Sequence, residues 1–320
     1  MDDSSMDAIT GILVVLFLTT GIILNTLVIL AVMKKSSHTF KDVLVISFTC
    51  CLLGEICFGI IWEGYGRYID DSSLALCKMA GFGATFTTLV SIIHLIGMAL
   101  ERYISIIHPM TAYQYFKDHM LAMYFLIPSW VFGIAWACFP FFGWGAYMRE
   151  PVHTYRCSVV ASSNSNDAQS YNYSLLIFFF FLPIILIIYL CACVQIELAK
   201  TRKEAIETLT GDSAMIDSRK KHEKEHFVLV CFVIITYLVT WTPYAISACW
   251  FAFFKSQSNE MVGYSALFAK SALVTNPIIY VFFYKEFRET LKTKVFTRKA
   301  STSVDMPIRS SLSQKIDIHE

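Results

Sequence analysis

Charge is scarce in this chain. Asp, Glu, Lys and Arg make up 16% of its 320 residues, and hydrophobic residues make up 56%. Soluble domains carry about 25% charged residues, so this balance excludes an ordinary soluble domain and points to a bilayer protein. Metal-binding patterns are lacking as well. Cys50, Cys51, Cys57, Cys138, Cys191, Cys193, Cys231 and Cys249 fall inside apolar runs, with no metal-ligand spacing. Buried cysteine behaves as a small hydrophobe, so no metal is expected. The start of the chain lacks the basic region of a cleaved signal peptide, and Asp2, Asp3 and Asp7 stand there instead. Its first apolar run is also too long for such a peptide, so that run is expected to stay as an anchor. The sequence shows no clear internal repeat, low-complexity region or second domain.

What is there is a series of seven apolar runs, near 8–33, 41–65, 78–105, 118–142, 172–198, 224–254 and 260–284. Each meets the ~20 residues that a membrane-spanning helix needs. Only helices and closed barrels satisfy their backbone in lipid, and barrels lack such long runs. The expected fold class is therefore an all-α membrane protein, a seven-transmembrane helix bundle. Beyond the last run, Phe287, Leu291 and Val295 recur at helical spacing, which predicts a short amphipathic eighth helix along the membrane surface. The domain reading is one bundle over 1–298, eighth helix included, and a disordered cytoplasmic tail over 299–320. Ser301, Thr302, Ser303, Ser310, Ser311 and Ser313 of that tail are candidate phosphate acceptors. The charged stretch 199–223 reads as helical extensions of the fifth and sixth runs. A glycosylation sequon, Asn172-Tyr173-Ser174, stands at the outer end of the fifth run, close to the membrane.

The few charges are unevenly placed. With loops assigned to alternate sides, Arg67, Lys78, Arg149, Arg156 and Lys255 lie on one side and Lys270 lies inside a run. The rest of the 26 Lys and Arg lie on the side that holds the C-terminus. Positive charge marks the cytoplasmic face, so the N-terminus is expected outside and the C-terminus in the cytoplasm. The basic clusters are thus topology signals, suited to anionic membrane lipid or an acidic partner, and no evidence for nucleic acid. On the oxidising outer side, Cys77 starts the third run and Cys157 lies in the long second outer loop. A disulfide between them is expected, pinning that loop over the mouth of the bundle.

Lys270 is the exception inside the seventh run. A mid-span lysine costs about 2.5–3.5 kcal/mol on insertion scales, so it marks a functional site by default. The bland alternative is a lysine that snorkels or lines a water-filled cavity. Snorkelling fits poorly at this depth. A desolvated amine is suited to imine formation with an aldehyde.

Short motifs surround it in a fixed order. The third run closes with Glu101-Arg102-Tyr103 ahead of His108-Pro109, and the seventh with Asn276-Pro277-Ile278-Ile279-Tyr280. The sixth carries Trp241-Thr242-Pro243-Tyr244, the first Asn25, and the fourth Trp130 and Pro140. One motif per appropriate helix resembles the rhodopsin-like G-protein-coupled receptors over nearly the whole chain. Phe268-Ala269-Lys270-Ser271, with the step from Lys270 to Asn276, resembles the retinal-binding segment of animal opsins. Gly81-Phe82-Gly83-Ala84-Thr85, Gly143-Trp144-Gly145-Ala146-Tyr147 with Glu150-Pro151, and Lys285-Glu286-Phe287-Arg288 are similar to other opsin segments. Phe40-Lys41-Asp42 and Gly59-Ile60-Ile61-Trp62-Glu63 look most like cnidarian opsins.

The resemblance implies a light-activated receptor rather than an enzyme. Retinal would be held by a Schiff base at Lys270, 11-cis in the dark and all-trans after light. The implied partners are a heterotrimeric G protein, of the stimulatory, cyclic-AMP-raising kind by subgroup, then arrestin, a receptor kinase and membrane lipid. The implied location is the plasma membrane or a photoreceptive membrane. Trp241, Tyr244, Phe82, Thr85 and Phe268 are expected around the chromophore, with ordinary helix packing as the rival reading of each aromatic. Glu101, Arg102, Tyr103, Asn276, Pro277 and Tyr280 are the implied activation residues. Glu223, placed 18 residues before Trp241, is expected to hold Arg102; its rival reading is a solvated loop glutamate.

Several positions depart from the family. Ala80 stands where vertebrate visual pigments place the glutamate that balances the Schiff base. A buried cation needs an anion, so Glu63 is the first candidate, Glu150 the reserve and Glu55 the deeper third. The usual helix-two aspartate is replaced by Leu52 or Cys50, depending on alignment, and the helix-five tyrosine by Cys191. Two other functions stay open: a retinal photoisomerase, and a receptor for a diffusible ligand with Lys270 as a salt-bridge partner.

Overall fold

The computed structural model describes residues 3–68, 74–117, 119–149, 157–159, 166–207, 214–254, 259–283 and 285–290. Among them, seven helical stretches are long and apolar enough to cross a membrane: Gly11–Met33, Phe40–Ile60, Leu74–Ile107, Leu121–Phe142, Asn166–Thr201, Lys224–Trp250 and Gly263–Phe282. Each overlaps one of the seven apolar runs, and the expected all-α seven-helix bundle is the fold found. An 18-residue apolar stretch in each of spans two and three is 61% buried, against 22% in spans one and five, so the former make the centre and the latter face lipid. Ile12, Val15, Ile185 and Ile188 are exposed on those outer helices, as a lipid solvent demands.

The first span is α1 (Asp3–Met33), and the second is α2 (Phe40–Glu55), a π turn over Ile56–Ile60, and α3 (Ile61–Tyr68). The central third span is α4 (Leu74–Ile107), followed by the short α5 (Pro109–Tyr115). The fourth joins α6 (Leu121–Cys138) to a 3-10 turn over Phe139–Phe142. An antiparallel hairpin follows, β1 (Tyr147–Arg149) and β2 (Cys157–Val159), with Tyr147 opposite Val159 and Arg149 opposite Cys157. The fifth span is α7 (Asn166–Leu176), a π turn over Ile177–Phe181, and α8 (Leu182–Glu207). The sixth is α9 (Ala214–Phe254); the seventh joins α10 (Asn259–Lys270) to α11 (Ala272–Phe283); α12 (Lys285–Thr290) is the eighth helix.

Local chemistry explains the irregular points. Pro183 has no backbone N–H for the carbonyl four residues earlier, at Phe179, and the π turn Ile177–Phe181 surrounds that carbonyl. Asp42 anchors the start of α2. Its Oδ2 accepts from Thr39 N (2.9 Å) and Thr39 Oγ1 (2.8 Å), and its Oδ1 meets Lys35 Nζ at 2.9 Å. Helices α8 and α9 run on to Glu207 and back from Ala214, so the charged stretch extends both, as the sequence predicts. Leu291, Val295 and the tail 299–320 lie outside the described residues.

The core runs through the middle of the bundle. Leu44, Phe48, Leu52 and Ile56 of the second span meet Leu95 of α4, Leu229 and Val233 of α9, and Leu273 of α11. Leu52 is buried among them while Cys50 is exposed, so an acid is missing here from an apolar environment. Asn25 ties the first span to the seventh: its Nδ2 donates to Gly21 O and to Leu273 O, both at 2.8 Å.

Candidate ligand-binding site

The seventh span is interrupted beside its one lysine. Lys270 ends α10, Ser271 forms a turn, and α11 resumes at Ala272. Ser271 donates twice to Phe268 O, from N at 3.0 Å and from Oγ at 2.6 Å. A serine hydroxyl that bonds its own backbone weakens the helical ladder at that point. The tightened turn leaves Lys270 in the wall of a cavity of about 230 Å³.

Thr85 and Thr88 of α4, and Trp241 and Tyr244 of α9, line the same cavity. Most of the remaining lining is aliphatic or aromatic, including Leu95, Phe179, Phe180 and Ile187. The β2 strand, Cys157 to Val159, covers it. The expected Cys77–Cys157 disulfide is present, with Cα atoms 5.1 Å apart, and it holds β2 against the start of α4. Gly81 makes that contact possible, because a Cβ there would come within 2.9 Å of the Tyr147 ring and 3.3 Å of Cys157 Cβ. Tyr147 is buried and its hydroxyl donates to Ala137 O at 2.8 Å; burial pushes that phenol's pKa up. Gly145, at φ +88°, lets the loop pass Tyr171, where a Cβ would lie 2.7 Å from the ring.

Of the residues expected at and around the chromophore, Lys270, Trp241, Tyr244 and Thr85 therefore meet. Phe268 and Phe82 do not line the cavity. Phe268 is 46% exposed; two residues before Lys270 on a helix is a turn of about 200°, the opposite face. Phe82 lies about 100° round α4 from Gly81, and it stacks on Phe86 (6.0 Å) and meets Phe141 at a tilt (5.5 Å). Ala80 lines the cavity with a methyl group, and Asn172 of the sequon lines it too. Glu150 lies outside the described residues, and Glu63 is described only as part of α3. Glu55 is 7% exposed, lines the cavity and lies within reach of the charge on Lys270.

Sequence reasoning missed Tyr237. It is 3% exposed, lines the cavity and stacks on Trp241 at 5.7 Å. The signal was its spacing, four residues before Trp241 and so on the same helix face. Its hydroxyl and the Trp241 Nε1 are buried without hydrogen-bond partners among the described residues.

A second polar cluster occupies the opposite end of the bundle. Arg102 and Glu101 are 1% and 4% exposed and joined by a paired salt bridge, and Ser105 Oγ donates to Glu101 Oε1 at 3.0 Å. The charge on Arg102 also reaches His226 of α9, which is buried. Glu223 is described only as part of α9, so the expected Arg102–Glu223 bond falls outside the described side chains. Tyr103 meets His108 edge-on at 5.9 Å, and Tyr280 OH approaches Met98 Sδ at 3.8 Å. Asn276 is fully buried beside Pro277 in α11, its amide without partners among the described residues. Cys191, in place of the helix-five tyrosine, lies beside Cys231 of α9.

The cavity thus presents one amine to an apolar chamber with an acid in its wall, a donor set that suits a long apolar aldehyde. The family profile of the "7 transmembrane receptor (rhodopsin family)" matches residues 24–280. Green-sensitive opsin-1 of Carassius auratus is 30% identical over 282 residues, 86% of this chain and 77% of that protein. Green-sensitive opsin of Gallus gallus is 27% identical over 306 residues, 93% of this chain and 82% of that protein. The crystal structure of squid rhodopsin superposes with a TM-score of 0.82 at 24% identity, covering 91% of this chain and 85% of that one, which shows the shared fold. The chain belongs to the rhodopsin family of seven-transmembrane receptors, and within that family to the opsins.

Proposed function

We propose that this opsin is a light-activated receptor that binds retinal through a Schiff base at Lys270 and signals to a heterotrimeric G protein. The observation that carries the proposal is the Lys270 amine in the wall of an apolar cavity, covered by a disulfide-held strand and flanked by Trp241 and Tyr244. Retinal, when bound, supplies light absorption and a light-driven change of shape.

The chain's own residues do the rest. Lys270 Nζ provides the point of attachment. The aliphatic and aromatic walls and β2 exclude water, which protects an imine from hydrolysis. Trp241, stacked on Tyr237, couples the cavity to α9, and Pro243 within α9 offers a bend about which its far end can swing. At that far end the Glu101–Arg102 pair and His226 form the element to be released, opening a groove for the G protein. The subgroup likeness favours a stimulatory G protein, followed by a receptor kinase and arrestin acting on the tail. The orientation that follows from the charge asymmetry places the N-terminus outside and the C-terminus in the cytoplasm of a plasma or photoreceptive membrane.

The test is expression with 11-cis-retinal followed by a dark-minus-light difference spectrum. A visible band that light shifts or removes is the expected result. A receptor that reaches the membrane yet forms no such band would instead be one for a diffusible ligand. Retinal turnover in light without G-protein activation would make it a photoisomerase.

A further inference from the structure

We propose that Glu55, assisted by the Tyr237 hydroxyl, is the buried anionic partner of Lys270, and that it balances the cation Lys270 carries once retinal is attached. The second half of this rests on the function proposed above. The first half concerns the ligand-free protein alone.

A cation in the low-dielectric middle of a bundle is stable only beside an anion. The wall beside α4 offers none, because Ala80 stands there. Among the described residues that line the cavity, Glu55 is the acid. Sequence reasoning ranked it third because of its depth, yet depth is what places it in the wall that holds Lys270. It ends the regular part of α2, immediately before the π turn Ile56–Ile60. Gly59 in that turn lets the second span close on α4, since a Cβ at Gly59 would sit 3.3 Å from Ala84 Cβ. A carboxylate is acceptor-only and needs donors when buried. The cavity supplies two that have no partners among the described residues, Tyr237 OH and Trp241 Nε1. A buried acceptor and two orphaned donors in one small chamber are complementary in kind and can be joined through a bridging water.

The titratable groups facing Glu55 come from three helices: Lys270 of α10, Tyr237 of α9 and Cys51 of α2. His94 of α4 is turned elsewhere, with Nε2 3.0 Å from Ser129 Oγ and Nδ1 3.5 Å from Cys51 Sγ. Lys270 is thus the cation in this group.

The experiment compares Glu55→Gln, Glu63→Gln and Tyr237→Phe in the full chain. With retinal bound, the readout is the pH at which the visible band gives way to a near-ultraviolet one. Removing the partner of a buried cation favours its neutral form, so Glu55→Gln should move that midpoint down by about one to three pH units. Tyr237→Phe should move it in the same direction by less, and Glu63→Gln should leave it in place. A shift in Glu63→Gln with none in Glu55→Gln overturns the assignment. Without retinal, thermal midpoints of Glu55→Gln, Lys270→Met and the double variant form a cycle. Lys270→Met should recover most of the stability that Glu55→Gln loses, and strictly additive losses overturn the pair. If the wild type forms no pigment at all, the light-receptor reading falls, and the ligand-free cycle alone decides the pairing.

Discussion

At the scale of residues, the proposed function rests on one amine. Lys270 was legible because a lone charge in an apolar run has no cheap explanation. Lys270→Ala should abolish covalent pigment while leaving the receptor at the membrane, checked by acid trapping and by surface labelling; retinal trapped on another lysine would refute the assignment. Neighbouring residues were less legible. A motif such as Phe268-Ala269-Lys270-Ser271 gives order along the chain, and it does not give direction around a helix. Phe268 therefore sits on the far face, while Tyr237, in no motif, lies in the cavity wall. Tyr147 is a further case, since it was seen only as part of a loop likeness. Its buried hydroxyl bonds Ala137 O. Tyr147→Phe should destabilise the receptor by about 0.5–1.5 kcal/mol, read as a lower thermal midpoint. An unchanged midpoint would mean that the bond adds nothing to the hairpin's seat.

At the scale of elements, the spans were read to within a few residues because length and hydropathy alone demand them. Their breaks were not. Ile56–Ile60 and Ile177–Phe181 are apolar stretches with nothing in their composition to announce a π turn, although Pro183 accounts for the second once it is seen. The turn at Ser271 is equally silent in sequence, yet it aims Lys270. The covering hairpin was foreseen only as a pinned loop. Its hold comes from the Cys77–Cys157 bond together with the missing side chain at Gly81. Either Cys→Ala change should cost about 2–4 kcal/mol, lowering surface expression and thermal midpoint. The double Cys→Ala variant should be no worse than either single one. A double variant clearly worse than both would show that each thiol has a separate role.

At the scale of the molecule, α9 connects the two ends. It is one helix of 41 residues, and it carries Tyr237 and Trp241 at the cavity and His226 near Arg102. His226 and Trp241 are 15 residues apart, so at 1.5 Å per residue a push on Trp241 acts about 22 Å away. Side chains that stack at the cavity and charges that gather at the other end are thus linked by one nearly rigid body, with Pro243 as its bend. In the proposed mechanism the resting position of that body is set in part by Arg102, which pairs with Glu101 on its own helix. Glu101→Gln removes the charge from the partner while keeping its shape. Arg102, still buried and no longer neutralised, is then favoured by the open arrangement in which its guanidinium can turn toward a G protein or water. Ligand-free nucleotide exchange on a G protein should therefore rise by about 5-fold or more, the range of a typical coupling energy. Combining Glu101→Gln with Lys270→Ala should preserve the rise, because this switch lies downstream of the cavity. Basal exchange that stays at the wild-type level in Glu101→Gln, at equal surface expression, would mean that the pair does not restrain the receptor and that α9 is held by other contacts.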